Sequence, residues 1–454
     1  MFSLAKKNDS DNRKSEVIKE TSVSKKEMKL EEAVDYIREV ISDPYASSNE
    51  VREEKSKIIE DAIAGDNESK EKVFEEVRRI VKEHGIVVAG LTSEQLVYEV
   101  YKRNWGLDIL DEIYNDPEIN EIRVNAPDKV FVLRQLKNER VDISFKNDEH
   151  VRNIILRLVM HDQGISLNRN SPTIESMRKD GARITATCPP VTSFHTLTIR
   201  KHIKRVIDLD DYVEADIMDE NIKNLLIKLV RGRANILVSG GTGSGKTTLI
   251  RALFKYTDEN CRTLVLESDR ELNLTEYYPE RDIVELEEHT EAVGSGVKEG
   301  RSMKNLFRVV LRYSPTIIIV GEFRSGDEAL EAVRACERGH DGSMSTAHFS
   351  SSEEAVRGIA RLLTETNMVS DFKAEQMVAT AFNVIVQMYG DPVRGKIKLE
   401  EISELIPTAN GVKINKIIQW EPEEGQDYFK GEWREVGKIS DRLLTKLRKY
   451  NVVL

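Results

Sequence analysis

Residues 240 to 247 read Gly-Gly-Thr-Gly-Ser-Gly-Lys-Thr, the spacing G-x-x-x-x-G-K-T. Glycines at such positions let the backbone curl until its N–H groups point at phosphate oxygens, and a helix starting at the loop's end adds its positive terminus. The flanks supply that context. Asn235-Ile236-Leu237-Val238 reads as a short buried strand, and Thr248 to Phe254 has helical spacing. A Gly-rich turn that binds nothing would not need both flanks, so the stretch is read as a nucleoside triphosphate site. Gly240, Gly241, Thr242, Gly243, Ser244, Gly245, Lys246, Thr247 and Thr248 are its candidate binding residues. Lys246 is the group to reach the β- and γ-phosphates, and the Thr247 hydroxyl the group to ligate Mg²⁺.

Hydrolysis needs a carboxylate near the metal and a group that orients or deprotonates water. Ligands of an open α/β sheet bind outside the carboxyl ends of its strands. Three acids follow strand-like apolar runs: Glu267 and Glu271 after Arg262–Leu266, and Glu322 after Thr316–Val320. Glu322 suits the Mg²⁺ side. Glu271 suits water activation, provided its loop folds over the γ-phosphate. His340 and His348 flank a Gly- and Ser-rich turn. A lone histidine is more often a hydrogen-bonded structural residue, but His348, just past a strand-like run, is open to contacting the γ-phosphate. Charge developing on the transferred group also calls for a cation. Arg178, Arg183, Arg200 and the basic run Arg200–Arg205 are candidates, a solvated surface being the competing reading of that run.

Strands alternating with helices after residue 209 indicate a largely parallel sheet covered on both faces, an α/β fold. Before it, strand-like runs at Ile119–Asn125, Lys129–Leu133, Gly181–Thr187 and His195–Arg200, with a helix at Val151–His161, read as an α+β domain. From Leu30 to Tyr101 apolar residues recur at helical spacing, as in Ala33, Ile37 and Val40, or Val73, Val77, Ile80 and Val81. The expected division is a disordered tail (1–27), a helical N-terminal region (28–105), an α+β domain with its linker (106–208) and a nucleotide core with a C-terminal region (209–454).

Composition narrows the class. With 32% charged and 39% hydrophobic residues the chain reads as soluble and globular, and its net charge of −11 argues against bulk binding to DNA or anionic lipid. Its three cysteines, Cys188, Cys261 and Cys336, are far apart, which fits a reducing cytosol without a disulfide framework or cysteine zinc site. No apolar run approaches the roughly 18–20 residues of a spanning helix, and the polar start does not read as a signal peptide. Any membrane role is expected to be peripheral.

The order of four motifs resembles the secretion ATPases that drive type II secretion, type IV and Tad pili, and type IV secretion or conjugation. They are the phosphate loop, Leu266-Glu267-Ser268-Asp269-Arg270-Glu271-Leu272, Ile319-Val320-Gly321-Glu322-Phe323-Arg324 and Gly339 to His348. These match that family's Walker A, Asp box, atypical Walker B and His box. Upstream, Asn120–Asn125, Asp180–Ile184 and Leu197–Lys201 are similar to its N-terminal domain. The resemblance implies a RecA-like P-loop core, a preceding PAS-like α+β domain and a homohexameric ring that hydrolyses ATP with Mg²⁺. It implies catalysis by Glu271, Glu322 near Mg²⁺, His348 coupling the γ-phosphate to domain movement, and Arg183 and Arg200 as the N-domain arginines. The implied place is the cytoplasm, peripheral at the inner face of the cytoplasmic membrane, with a membrane platform protein as partner. The absence of a four-cysteine module and the helical extension resemble the CpaF/Tad-pilus or conjugation-associated branch.

This chain departs from the pattern at four places. Ser268 stands where the Asp box has aspartate, Met177 where an upstream arginine is expected, Phe323 before Arg324, and Ala347 before His348. Two other functions compete: a RecA-like nucleic-acid motor, which the acidic net charge disfavours, and an ATP-binding scaffold with little hydrolysis.

Overall fold

A computed structural model describes residues 25–42, 49–134, 137–162, 166–201, 207–268, 270–288, 302–322, 325–409 and 411–453. Most of the expected tail, residues 1–24, lies outside them. The chain divides into two units, Met1–Val132 with Arg140–His202 and Leu133–Glu139 with Ile203–Leu454.

The first unit begins with β1 (Lys26–Met28), α1 (Leu30–Ser42), α2 (Asn49–Ile63), α3 (Asn67–Glu83), β2 (Ile86–Val88) and α4 (Ser93–Asn104). β1 starts inside the segment expected to lack structure and ends in the region expected to be helical, because its backbone finds a partner: it pairs in parallel with β2, Lys26 opposite Ile86. Helical spacing places Ala33, Ile37, Val73, Val77 and Ile80 in one core with Leu96, Val100 and Trp105. Helix starts are fixed by side chains. Asp66 accepts from the Ser69 N–H ahead of α3, and Thr92 and Gln95 form a capping box on α4; such caps contribute about 1 kcal/mol each.

α5 (Asp111–Asn115) leads into β3 (Ile119–Ala126), β4 (Lys129–Arg134), β5 (Lys137–Val141) and α6 (Asp148–Val159), followed by β6 (Thr173–Met177), β7 (Arg183–Thr187) and β8 (Thr196–Arg200). The six strands form one sheet in the order β5-β4-β3-β8-β7-β6. Side chains alternate across a strand. Ile122, Val124, Ile184, Ala186, Leu197 and Ile199 therefore share a core with Ile154, Ile155 and Leu158 of α6, and Glu121, Arg123, Arg183, Thr185, Thr198 and Arg200 take the other face.

In the second unit α7 (Leu209–Glu214) and α8 (Glu220–Arg231) precede β9 (Ile236–Gly240), which is buried along its whole length. There follow α9 (Lys246–Phe254), β10 (Thr263–Glu267), α10 (Leu274–Tyr277), β11 (Ile283–Glu287), α11 (Met303–Val310), β12 (Ile317–Glu322), α12 (Gly326–Glu337) and β13 (Met344–Ala347). The rest is α13 (Ser352–Glu365), α14 (Asp371–Ala381), β14 (Val384–Asp391), β15 (Lys396–Thr408), β16 (Gly411–Pro422), β17 (Gly431–Glu435) and α15 (Asp441–Arg448). Nine strands form a sheet in the order β11-β10-β12-β13-β9-β14-β15-β16-β17. The run from β11 to β14 is parallel, and β15 to β17 extend it antiparallel. Both faces of the parallel part are covered. Ile236, Val238, Val384 and Val386 pack with Leu226, Leu249 and Leu253, while Leu237 and Ile385 pack with Phe307, Val333, Ile359 and Val378. This is the α/β core expected after residue 209.

The antiparallel extension is tied on by Lys398, which is buried with its ammonium 4.2 and 4.6 Å from the ring centres of Trp420 and Trp433. α15 closes the start of the sheet. Lys446 Nζ lies 2.7 Å from both Asp341 Oδ1 and Asn383 Oδ1. Leu447 is fully buried at the end of α8, where a Cβ on Gly232 would come within 2.2 Å of its Cδ2. Leu447→Ala is accordingly expected to cost about 2–5 kcal/mol; thermal unfolding checks this, and an unchanged midpoint would mean that α15 is not part of the core.

Candidate functional site

The phosphate loop leaves β9 and enters α9 through Gly243 and Gly245, at φ 75° and 84°. L side chains are disfavoured there, so both glycines are demanded by the turn. Ser244 Oγ closes it by donating to Gly241 O at 2.8 Å. Gly241, Thr242 and Gly243 are exposed, and Thr247 and Thr248 are half-buried on the first turn of α9. Lys246 is buried. Its Nζ donates to Gly240 O at 3.0 Å and Gly241 O at 2.9 Å, and lies 3.3 Å from His348 Nδ1. Burial pushes the ammonium pKa down to about 8, against the pull of Glu322 and Glu271.

His348 follows β13, the neighbour of β9, and its Nε2 lies 3.4 Å from Glu322 Oε1. One neutral tautomer serves both contacts, with the proton on Nε2 facing Glu322 and Nδ1 accepting from Lys246. Glu322 ends β12 just past a register shift between Val320 and Glu322. Such a bulge re-aims the side chain that follows it. The Thr346 hydroxyl holds the irregularity by donating to Gly321 O. His340, by contrast, lies 3.0 Å from Pro315 O through Nδ1, the structural kind of contact.

Glu271 lies in the irregular stretch after β10, where its Oε2 accepts from Thr247 Oγ1 at 3.2 Å. Its backbone is held from two sides. Glu267 Oε1 accepts from the N–H groups of Glu271 at 3.1 Å and Leu272 at 3.0 Å. Arg251 donates to Leu272 O at 3.0 Å through Nε and to Glu271 O at 2.7 Å through Nη2. Glu267, a candidate acid by position, thus directs its carboxyl group at backbone donors, Oε2 also lying 3.3 Å from Leu272 N, and burial pushes its carboxyl pKa up to about 8. It fits only because residue 321 is glycine: a Cβ there would meet Glu267 Cγ at 2.7 Å. Arg251 was not singled out by the motifs. Its signal was a charge inside the apolar run Leu249–Phe254, since a buried arginine must find partners. Asp269, Phe323 and Arg324 lie outside the described residues.

The upstream arginines belong to the first unit. Met177 stands opposite Arg183, Arg183 opposite Arg200, and Arg200 opposite Glu121. These four positions therefore form one row on one face of the sheet, with Met177 where the resemblance expects a further arginine. Arg178 does not fill that place. It is buried, with Nη1 donating to Ile63 O at 2.9 Å, Nε 3.3 Å from Asp180 Oδ2, and the guanidinium 5.3 Å from the Tyr114 ring centre. Of the basic run, residues 202–205 lie outside the described residues. Arg178→Ala is expected to destabilise by about 3 kcal/mol, because it breaks a buried ion pair, whereas exposed Arg200→Ala should stay within about 0.5 kcal/mol of wild type. Denaturant unfolding checks the contrast; equal midpoints would contradict it.

A parallel sheet with a phosphate loop after one strand and acids after two others defines a P-loop nucleotide-binding protein of the α/β class. Residues 106–390, more than half of the chain, match the family described as type II/IV secretion system protein, and the chain belongs to that family. It is 27% identical over 301 residues to the probable conjugal transfer protein TrbB of Sinorhizobium fredii, covering 65% of this chain and 86% of that one. It is 28% identical over 300 residues to the type IV secretion system protein VirB11 of Brucella suis, covering 60% and 81%. Among solved structures, the VirB11 ATPase of Brucella suis aligns at 24% identity with TM-score 0.35, over 66% of this chain and 96% of that one. The pilus retraction motor PilT with bound ADP aligns at 15% identity with TM-score 0.46, over 76% and 86%. The family read from the motif order is the family found.

Proposed function

We propose that this chain is an ATP hydrolase that powers transport by a secretion, conjugation or pilus machine. One observation carries the reading. Lys246, Thr247, Glu271, Glu322 and His348 come from four separate segments and meet through direct contacts at one end of the parallel sheet.

The loop N–H groups and the start of α9 would hold the phosphates. Lys246 would turn from the carbonyls of Gly240 and Gly241 to phosphate oxygens, which are stronger acceptors because they are charged. Thr247, Glu322 and Glu271 offer the hard oxygen donors that suit Mg²⁺, with Thr247 and Glu322 as its ligands. The metal, when bound, neutralises charge building on the phosphates. Glu271 would orient the attacking water and take its proton. His348, in line between Lys246 and Glu322, is placed to register the γ-phosphate and pass its loss to the rest of the protein. Arg183 and Arg200 are proposed to supply positive charge to the transferred group.

The relatives' names, conjugal transfer and type IV secretion, support a membrane-associated transport machine as the user of this energy. A homohexameric ring acting at the cytoplasmic face of the membrane, on a platform protein, is part of the proposal. No described helix is long and apolar enough to cross a membrane.

Glu271→Gln and Glu322→Gln should each lower hydrolysis by about 10²- to 10⁴-fold, and Lys246→Ala or chelation of Mg²⁺ should abolish it, all read as phosphate release. Turnover like wild type in the Lys246 variant would overturn the reading. Tight ATP binding by the wild type without phosphate release would instead identify an ATP-binding scaffold.

A further inference from the structure

Glu271 is fixed at two points to a single helix. Thr247 and Arg251 are four residues apart on α9, so their side chains share one face. Thr247 Oγ1 meets the Glu271 carboxylate, and one turn later Arg251 Nη2 meets the Glu271 carbonyl. From the opposite side Glu267, 3% exposed, takes the N–H groups of Glu271 and Leu272. The peptide joining residues 271 and 272 is thereby held at both ends, its N–H by Glu267 and its carbonyl by Arg251. No regular secondary structure holds residues 270–273, so these side-chain contacts supply the restraint that a ladder or helix would give elsewhere. Gly321 is part of the device, since it alone leaves room for Glu267 between β10 and β12.

We propose that Glu267 and Arg251 are positioning residues for phosphoryl transfer, setting the 271–272 backbone so that the Glu271 carboxylate stays against Thr247. The proposal rests on the ATPase reading and assigns neither residue a contact with the reacting atoms. It also gives Ser268 a physical setting. Ser268 follows Glu267, whose carboxyl group, together with Arg251 of α9, holds the Glu271 backbone.

The test measures steady-state hydrolysis, affinity for a fluorescent Mg²⁺-ATP analogue and the unfolding midpoint on the full chain. Glu267→Ala and Arg251→Ala should lower kcat by about 10- to 100-fold, the size of effect expected from small misplacement of a reacting group. Affinity for the analogue should stay within about threefold, because the phosphate loop is untouched. Glu267→Gln keeps an oxygen acceptor and should recover most of the rate. Arg251→Lys should not, since one ammonium does not reproduce the two-pronged donation of a guanidinium. If an alanine variant does not fold, the Gln and Lys variants decide: wild-type kcat in Arg251→Lys, or a kcat in Glu267→Gln as low as that of Glu271→Gln, overturns the role. So does a loss confined to affinity or to the unfolding midpoint. A wild type that hydrolyses while Glu267→Ala hydrolyses equally overturns the positioning role alone. A wild type that binds the analogue but releases no phosphate overturns the ATPase reading and this proposal together.

Discussion

A buried ammonium has to be surrounded by acceptors, and the nucleotide core is arranged around one. Lys246 faces two loop carbonyls and the imidazole of His348, so its three N–H donors have three protein acceptors within 3.3 Å. Burial favours its neutral form, and the two nearby carboxylates restrain that tendency. The balance depends on strand order. β9 lies between β13 and β14, so the segment that ends in His348 is brought beside the loop, and β12 next to it brings Glu322. Any other neighbour of β9 would leave the imidazole and the carboxylate elsewhere.

Rigid elements place some of these groups and irregular ones place others. Lys246 and Thr247 begin a helix packed into the core, and Glu322 follows a strand at a bulge pinned by Thr346. Glu271 has neither support. Its position depends on two buried polar side chains, Glu267 and Arg251, that hydrogen-bond to its main chain. The Arg251 bonds are charge-assisted and so stronger than neutral ones, which suits a carboxylate that must hold still without a secondary structure of its own.

Much of this was legible in the residues. The phosphate loop and its flanks, the strand ending at Glu322, the helical periodicity before residue 101 and the acid at 271 could all be read, because each is a local pattern with a local physical cause. Three features were not. Pairing of Lys26–Met28 with Ile86–Val88 joins segments far apart in the chain, and a polar stretch carries no mark of the partner waiting for it. The inward turn of Arg178 depends on the Ile63 carbonyl at the end of α2, which no local spacing encodes. The double grip on Glu271 left only indirect traces: an arginine in an apolar run, and a glutamate closing a strand whose other residues are all buried. The roles proposed for Arg183 and Arg200 rest on resemblance, and their adjacency came from cross-strand register.

The most direct measurement is a crystal structure of the chain with a non-hydrolysable ATP analogue and Mg²⁺. The account requires Lys246 Nζ to have left Gly240 O and Gly241 O for the β- and γ-phosphates, with Thr247 and Glu322 on the metal side and Glu271 facing the γ-phosphate. A structure in which Lys246 still donates to both carbonyls while the analogue lies elsewhere would contradict it.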